Sequence, residues 1–69
     1  MPKKVTKKLT IGERLIAARG DVRREVVAAA VGISTSAISM YENNDRVPRD
    51  EIKVRLADYF GKSVQELFF

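Results

Sequence analysis

The side chains of this sequence that can do chemistry are hydrogen-bond donors, acceptors and cations. Ser36, Ser39, Met40 and Asn43 recur at a spacing that gathers them on one face of a helix. Arg23 and Arg24 precede that stretch, and Arg46 and Arg49 follow it. Small polar groups between cations suit non-covalent contact with a polyanion. The chain has no cysteine and no histidine. This removes disulfides, thiolate zinc sites, Cys and His nucleophile systems and imidazole acid–base chemistry. Asp45, Asp50 and Glu51 are the clustered carboxylates, and they fall in a loop and a helix start, where they serve turns and capping. The expectation is a binding protein, not an enzyme, with no cofactor and no metal.

Length and charge narrow this further. Sixty-nine residues make one small domain. A net charge of +4 permits a polyanionic partner without demanding one. No apolar run is long enough to span a bilayer, and the N-terminus lacks the apolar core of a signal peptide. A cytoplasmic protein is expected, with no membrane partner.

Several elements must position those residues. Residues 1–9 hold four lysines and a proline and read as a flexible basic arm. Residues 10–69 read as one helical domain. Thr10 and Glu13 form a capping-box pair that starts a helix at Ile11, and Gly20 stops it. A second helix is expected from about Arg23 to Val31. Ala28 is small where a neighbouring helix would come closest, and Gly32 can supply positive φ at the turn. Ser34 is a good N-cap for a third helix over 35–43, with Ile38 and Tyr41 turned inward. A fourth helix begins at Arg49 or Asp50, after Pro48, and ends at Gly61. Ser63 and Glu66 open a fifth, from Val64 to Phe68. None of these helices is long enough to stand alone, so they must share a core. That core is placed on Ile11, Leu15, Val27, Val31, Ile33, Ile38, Tyr41, Val47, Leu56, Ala57, Phe60, Val64 and Leu67, with Ile52 also a candidate. A third helix with few apolar anchors can be an ordinary surface helix. The tight turn before it and its basic flanks favour a helix offered to the DNA major groove.

The segments I-G-E-R-L, V-V-A-A-A-V-G-I-S-T-S-A-I-S-M-Y-E-N-N, V-P-R-D-E-I and L-A-D-Y-F-G-K-S-V-Q-E-L-F resemble the Cro/phage-repressor (Xre-type) helix-turn-helix family, in register over residues 11–68. The resemblance implies a compact all-α, five-helix, lambda-repressor-like domain that binds operator DNA as a symmetric dimer and regulates transcription. It places Ser34, Thr35, Ser36, Ser39 and Met40 at or beside the base-facing positions. Asn43, Asn44 and Arg46 are implied phosphate contacts, and Arg49 reaches the backbone or the minor groove. Asn44 stands where the family most often has glycine, which implies a left-handed backbone. Arg23 and Arg24 replace a usual Ser/Thr and Gln, adding charge beside the phosphates. Arg19 is the implied partner of Glu42, read as a structural pair. Leu67, Phe68 and Phe69 lie near the family's dimer seam: one aromatic is expected in the core and the other at the seam.

The groove face carries no Arg, Lys or Gln, and its first amide is Asn43. Those side chains make the bidentate base contacts, so direct readout is expected to be modest and DNA shape to carry more weight. Two recognition helices of a dimer would lie roughly 34–36 Å apart. No ligand-sensing segment is visible in the sequence, so no small-molecule effector is expected. An alternative is an antitoxin or adaptor-type protein-interaction module on the same fold. It draws on Val26, Ala29 and Ala30, apolar where relatives usually carry charge, and on the terminal phenylalanines.

Overall fold

The computed structural model describes residues 9–69. All but Leu9 of the expected basic arm lies outside the described residues. Five helices follow: α1 (Ile11–Arg19), α2 (Arg24–Val31), α3 (Thr35–Glu42), α4 (Asp50–Phe60) and α5 (Val64–Phe68). Arg23 and Asn43 fall just outside α2 and α3, as their cap residues.

Local chemistry sets most of these boundaries. The Thr10–Glu13 box is closed in both directions: Thr10 N donates to Glu13 Oε1 at 2.8 Å, and Glu13 N donates to Thr10 Oγ1 at 3.1 Å. Ser63 and Glu66 repeat the pattern at 2.8 and 3.0 Å. Ser34 Oγ accepts from Ala37 N at 3.0 Å and opens α3. At Gly32 the backbone turns at φ +86°, where a side chain would be strained. The chain can therefore leave α2 and enter α3 after only three residues, 32–34.

Every helix contributes to one core. Leu15 enters from α1, Val27, Ala28 and Val31 from α2, Ile38 and Tyr41 from α3, Leu56 and Ala57 from α4, and Leu67 and Phe68 from α5. Leu56, Leu67 and Val27 are the largest side chains closed off completely. Ile11, Ile33, Ile52, Phe60 and Val64 pack at its edge, partly buried.

Val47 does not belong to this core; it is 62% exposed. Pro48 is buried in its place. In an extended segment successive side chains point to opposite sides, so turning Pro48 inward turns Val47 and Arg49 outward. The proline also has no N–H to strand in the interior.

One close approach was not visible in the sequence. A Cβ at Gly12 would come within 2.7 Å of the Glu42 carbonyl carbon and closer still to its oxygen. Gly12 thus lets the first turn of α1 lie directly on the last turn of α3.

Candidate nucleic-acid interface

The third helix is presented by ties at both of its ends. At its start, Ser34 supplies the cap described above. At its end, Asn43 caps the helix and Asn44 takes φ +63°, a left-handed value that asparagine tolerates. The Asn44 side chain then reaches back to α1. Its Oδ1 accepts from Gly12 N at 2.9 Å, and its Nδ2 donates to Thr10 Oγ1 at 3.1 Å. Gly12 N is one of the α1 amides that no helical carbonyl can satisfy. Asn44 is therefore an interhelical cap that ties the end of α3 to the start of α1.

Glu42 is the second tie. Its side chain is 2% exposed, and both oxygens are used. Arg19 Nε donates to Oε2 at 2.6 Å and Arg19 Nη2 to Oε1 at 3.2 Å. Arg19 Nη1 donates to the Val22 carbonyl at 2.9 Å, which fixes the α1–α2 turn. Arg24 Nε donates to Oε1 at 2.9 Å. Burial pushes the Glu42 carboxyl upward, but the two arginine bonds and charges outweigh it and leave its pKa below the ordinary value. The Arg19 pKa is raised, chiefly by its bond to Glu42. Arg24, expected beside the phosphates, also holds Glu42 through Nε while its side chain stays 46% exposed.

The remaining candidate residues form two basic clusters beside α3. Arg23 and Arg24 share an open groove with Thr35, alongside Arg19 and Glu25. Arg46 and Arg49 border another with Ile33, Tyr41 and Ile52. Between them, Thr35, Ser36 and Asn43 are exposed, while Ser39 and Met40 are half-buried. Ser34 is exposed, with its oxygen accepting the cap bond. The starts of α1, α3 and α5 are capped by side chains; those of α2 and α4 are not, and their cap residues are Arg23 and Arg49. Two helix starts thus keep amides available to an anion, each beside an exposed guanidinium.

At the opposite end, Leu67 and Phe68 are buried and Phe69 is 69% exposed. Leu67 and Phe68 close the core, and Phe69 is the C-terminal aromatic left exposed. Lys53 Nζ sits 5.7 Å from the Phe68 ring centre and 5.0 Å from that of Phe69. On α2, Val26 is 50% exposed, and Ala29 and Ala30 are exposed beside it. Among the described residues there is no metal-holding cluster of three or more His, Cys, Asp or Glu, and no helix is long and apolar enough to cross a membrane.

Comparison with known proteins gives this geometry a family. Two solved structures of the P22 c2 repressor are similar to this chain. The crystal structure in complex with a synthetic operator has a TM-score of 0.85 at 28% identity, covering 88% of this chain and 96% of that one. The solution structure of the DNA-binding domain has a TM-score of 0.84 at 28% identity, covering 90% of this chain and 84% of that one. No curated protein gives a significant sequence match. The family model described as helix-turn-helix matches residues 14–67, and with the fold and residues above, the chain belongs to the Cro/phage-repressor (Xre-type) helix-turn-helix family.

Proposed function

We propose a docking mode in which α3 enters the major groove and the two basic clusters beside it hold the flanking phosphates. The chain is a sequence-specific DNA-binding regulator of transcription, of the repressor type. Arg23, Arg24 and the open start of α2 take one stretch of backbone. Arg46, Arg49 and the open start of α4 take the other. Thr35, Ser36, Ser39, Met40 and Asn43 face the bases. The observation that carries this mode is the pair of uncapped helix starts, each with an exposed arginine in the cap position.

Hydroxyls hydrogen-bond more than one base, and the Thr35 methyl and Met40 suit thymine methyls. Selectivity then rests on a few weak base contacts and on the shape of the duplex. A symmetric dimer would set two copies of α3 about one helical turn apart. Phe69 is the residue of the C-terminal trio left available to such a contact.

Selection of bound duplexes from a random pool tests the mode. The expected product is a two-fold symmetric site with half-sites about one turn apart and a shallow base profile. Affinity should also fall with salt, with a log–log slope of about −0.9 per phosphate neutralised. No duplex binding at low salt would sink the proposal.

A further inference from the structure

The buried carboxylate at the end of α3 is shared unequally. Arg19 spends its whole fork inside the domain: Nε and Nη2 on Glu42 and Nη1 on the Val22 carbonyl. Arg24 spends only Nε, on Glu42 Oε1, and its side chain remains 46% exposed beside Arg23 and Thr35. A guanidinium carries five N–H donors in a rigid plane. Fixing one edge on a buried acceptor fixes the direction of the opposite edge.

We propose that Glu42 is a positioning residue for DNA binding, holding Arg24 by Nε so that its terminal nitrogens are pre-aimed at a backbone phosphate. Glu42 and phosphate are bound at the same time, by different edges of one guanidinium. This rests on the docking mode above, in which the start of α2 lies against the DNA backbone.

The arrangement answers two costs. An arginine in the first turn of a helix opposes the helix dipole, and the Glu42 carboxylate offsets that charge locally. A free arginine must also lose side-chain freedom on binding, whereas a held one has already lost it. Glu25 lines the same groove and is the one carboxylate there that faces an incoming phosphate. A directed fork, more than bare positive charge, is what such a groove needs.

Charge alone and positioning predict opposite results for Glu42→Gln. The substitution adds one unit of positive net charge, so charge alone predicts tighter DNA binding. Positioning predicts weaker binding, because the amide NH2 must face an arginine N–H at either oxygen position, and a neutral amide oxygen holds Arg24 Nε less strongly than a carboxylate. Affinities for a random-sequence duplex of about 20 base pairs would be measured at low salt for the wild type, Arg24→Gln, Glu42→Gln and the double variant, with folding checked by circular dichroism. Arg24→Gln should weaken binding about five- to tenfold. Glu42→Gln should weaken it comparably in the wild-type background and have no further effect on Arg24→Gln. Equal effects in both backgrounds, or tighter binding, would overturn the proposal. A weak-binding Arg24→Gln paired with an inert Glu42→Gln would overturn it while leaving the docking mode intact. No wild-type binding would remove both.

If Glu42→Gln does not fold, two other readouts decide. Arg24→Lys keeps the charge but lacks Nε, and should lose several-fold in affinity with an unchanged salt slope; wild-type affinity would overturn the proposal. In nitrogen-15 spectra, the Arg24 Nε–H signal should persist from free protein to duplex complex while the terminal nitrogens shift. Loss of that Nε–H signal on binding would mean that Arg24 leaves Glu42 for phosphate, and would also overturn it.

Discussion

Gly12 lies so close to Glu42 that any side chain on it would overlap the Glu42 backbone carbonyl. The glycine is mid-turn in α1, where alanine would improve helix propensity by about 1 kcal/mol. Overpacking against an immovable carbonyl outweighs that gain. Gly12→Ala should destabilise the domain by about 1–3 kcal/mol in urea unfolding. A gain in stability would show that α1 and α3 can separate freely.

Asn44 combines a left-handed backbone with two long-range side-chain bonds. Asn44→Ala loses both bonds and adds backbone strain, for a cost of about 2–3 kcal/mol. Asn44→Gly loses the bonds without the strain and should cost about 1 kcal/mol less than alanine. Thermal unfolding of the pair separates these terms. Equal midpoints would mean that the left-handed turn stores no strain.

Glu42 makes the fold sensitive to acid. Its folded pKa lies below the ordinary 4.5. The unfolded chain therefore takes up the proton first as pH falls. Stability from this group is fully present above the ordinary value and is lost as pH falls through the depressed one. Urea titrations between about pH 6 and 3 should show a fall in stability that is shallower in Glu42→Gln. Glu66, lowered chiefly by its backbone bond at Ser63, contributes in the same direction and remains in both proteins. Identical pH profiles for the two would contradict the assignment.

Val47 and Pro48 exchange the roles that hydrophobicity alone suggests. Val47→Ser should change stability by no more than about 0.5 kcal/mol. Pro48→Ala removes a buried ring and should cost about 1–2 kcal/mol, partly through a freer unfolded chain. A larger loss at Val47 than at Pro48 would reverse this reading of the loop.

Arg46 and Arg49 are proposed to grip phosphate rather than bases. Replacing Arg46 with alanine should weaken binding to all duplexes alike and lower the salt slope by about 0.9. Loss confined to one base pair would assign it to readout instead.

Much of this architecture was written in short-range patterns. Thr10 with Glu13 and Ser63 with Glu66 are three residues apart, so their bonds could be read from spacing alone. Gly32 and Ser34 marked the turn for the same reason. The ties that orient α3 span far longer separations: Gly12 to Asn44, Arg24 to Glu42. No periodicity encodes them, because they depend on where α1 and α2 come to rest after packing. Family resemblance supplied Arg19 with Glu42 and the left-handed Asn44. It could not supply the second claim on Glu42, which arises where this chain carries arginine in place of glutamine. Hydrophobicity misplaced Val47 because a proline with a fixed turn filled the interior first. Leu67 and one terminal aromatic were expected in the core, and burial of Leu67 and Phe68 with Phe69 exposed decides which aromatic it is.

The attachments of α3 also govern how the domain comes apart. Glu42 binds side chains of α1 and α2, and Asn44 binds the first turn of α1. Releasing α3 breaks the packing of two other helices, so little is gained by opening it alone. Amides of α3 should exchange with solvent only through global unfolding, at the same free energy as those of α1. A protease would then meet the reading surface either intact or wholly lost, and the lifetime of the regulator would follow its overall stability rather than the fraying of one segment.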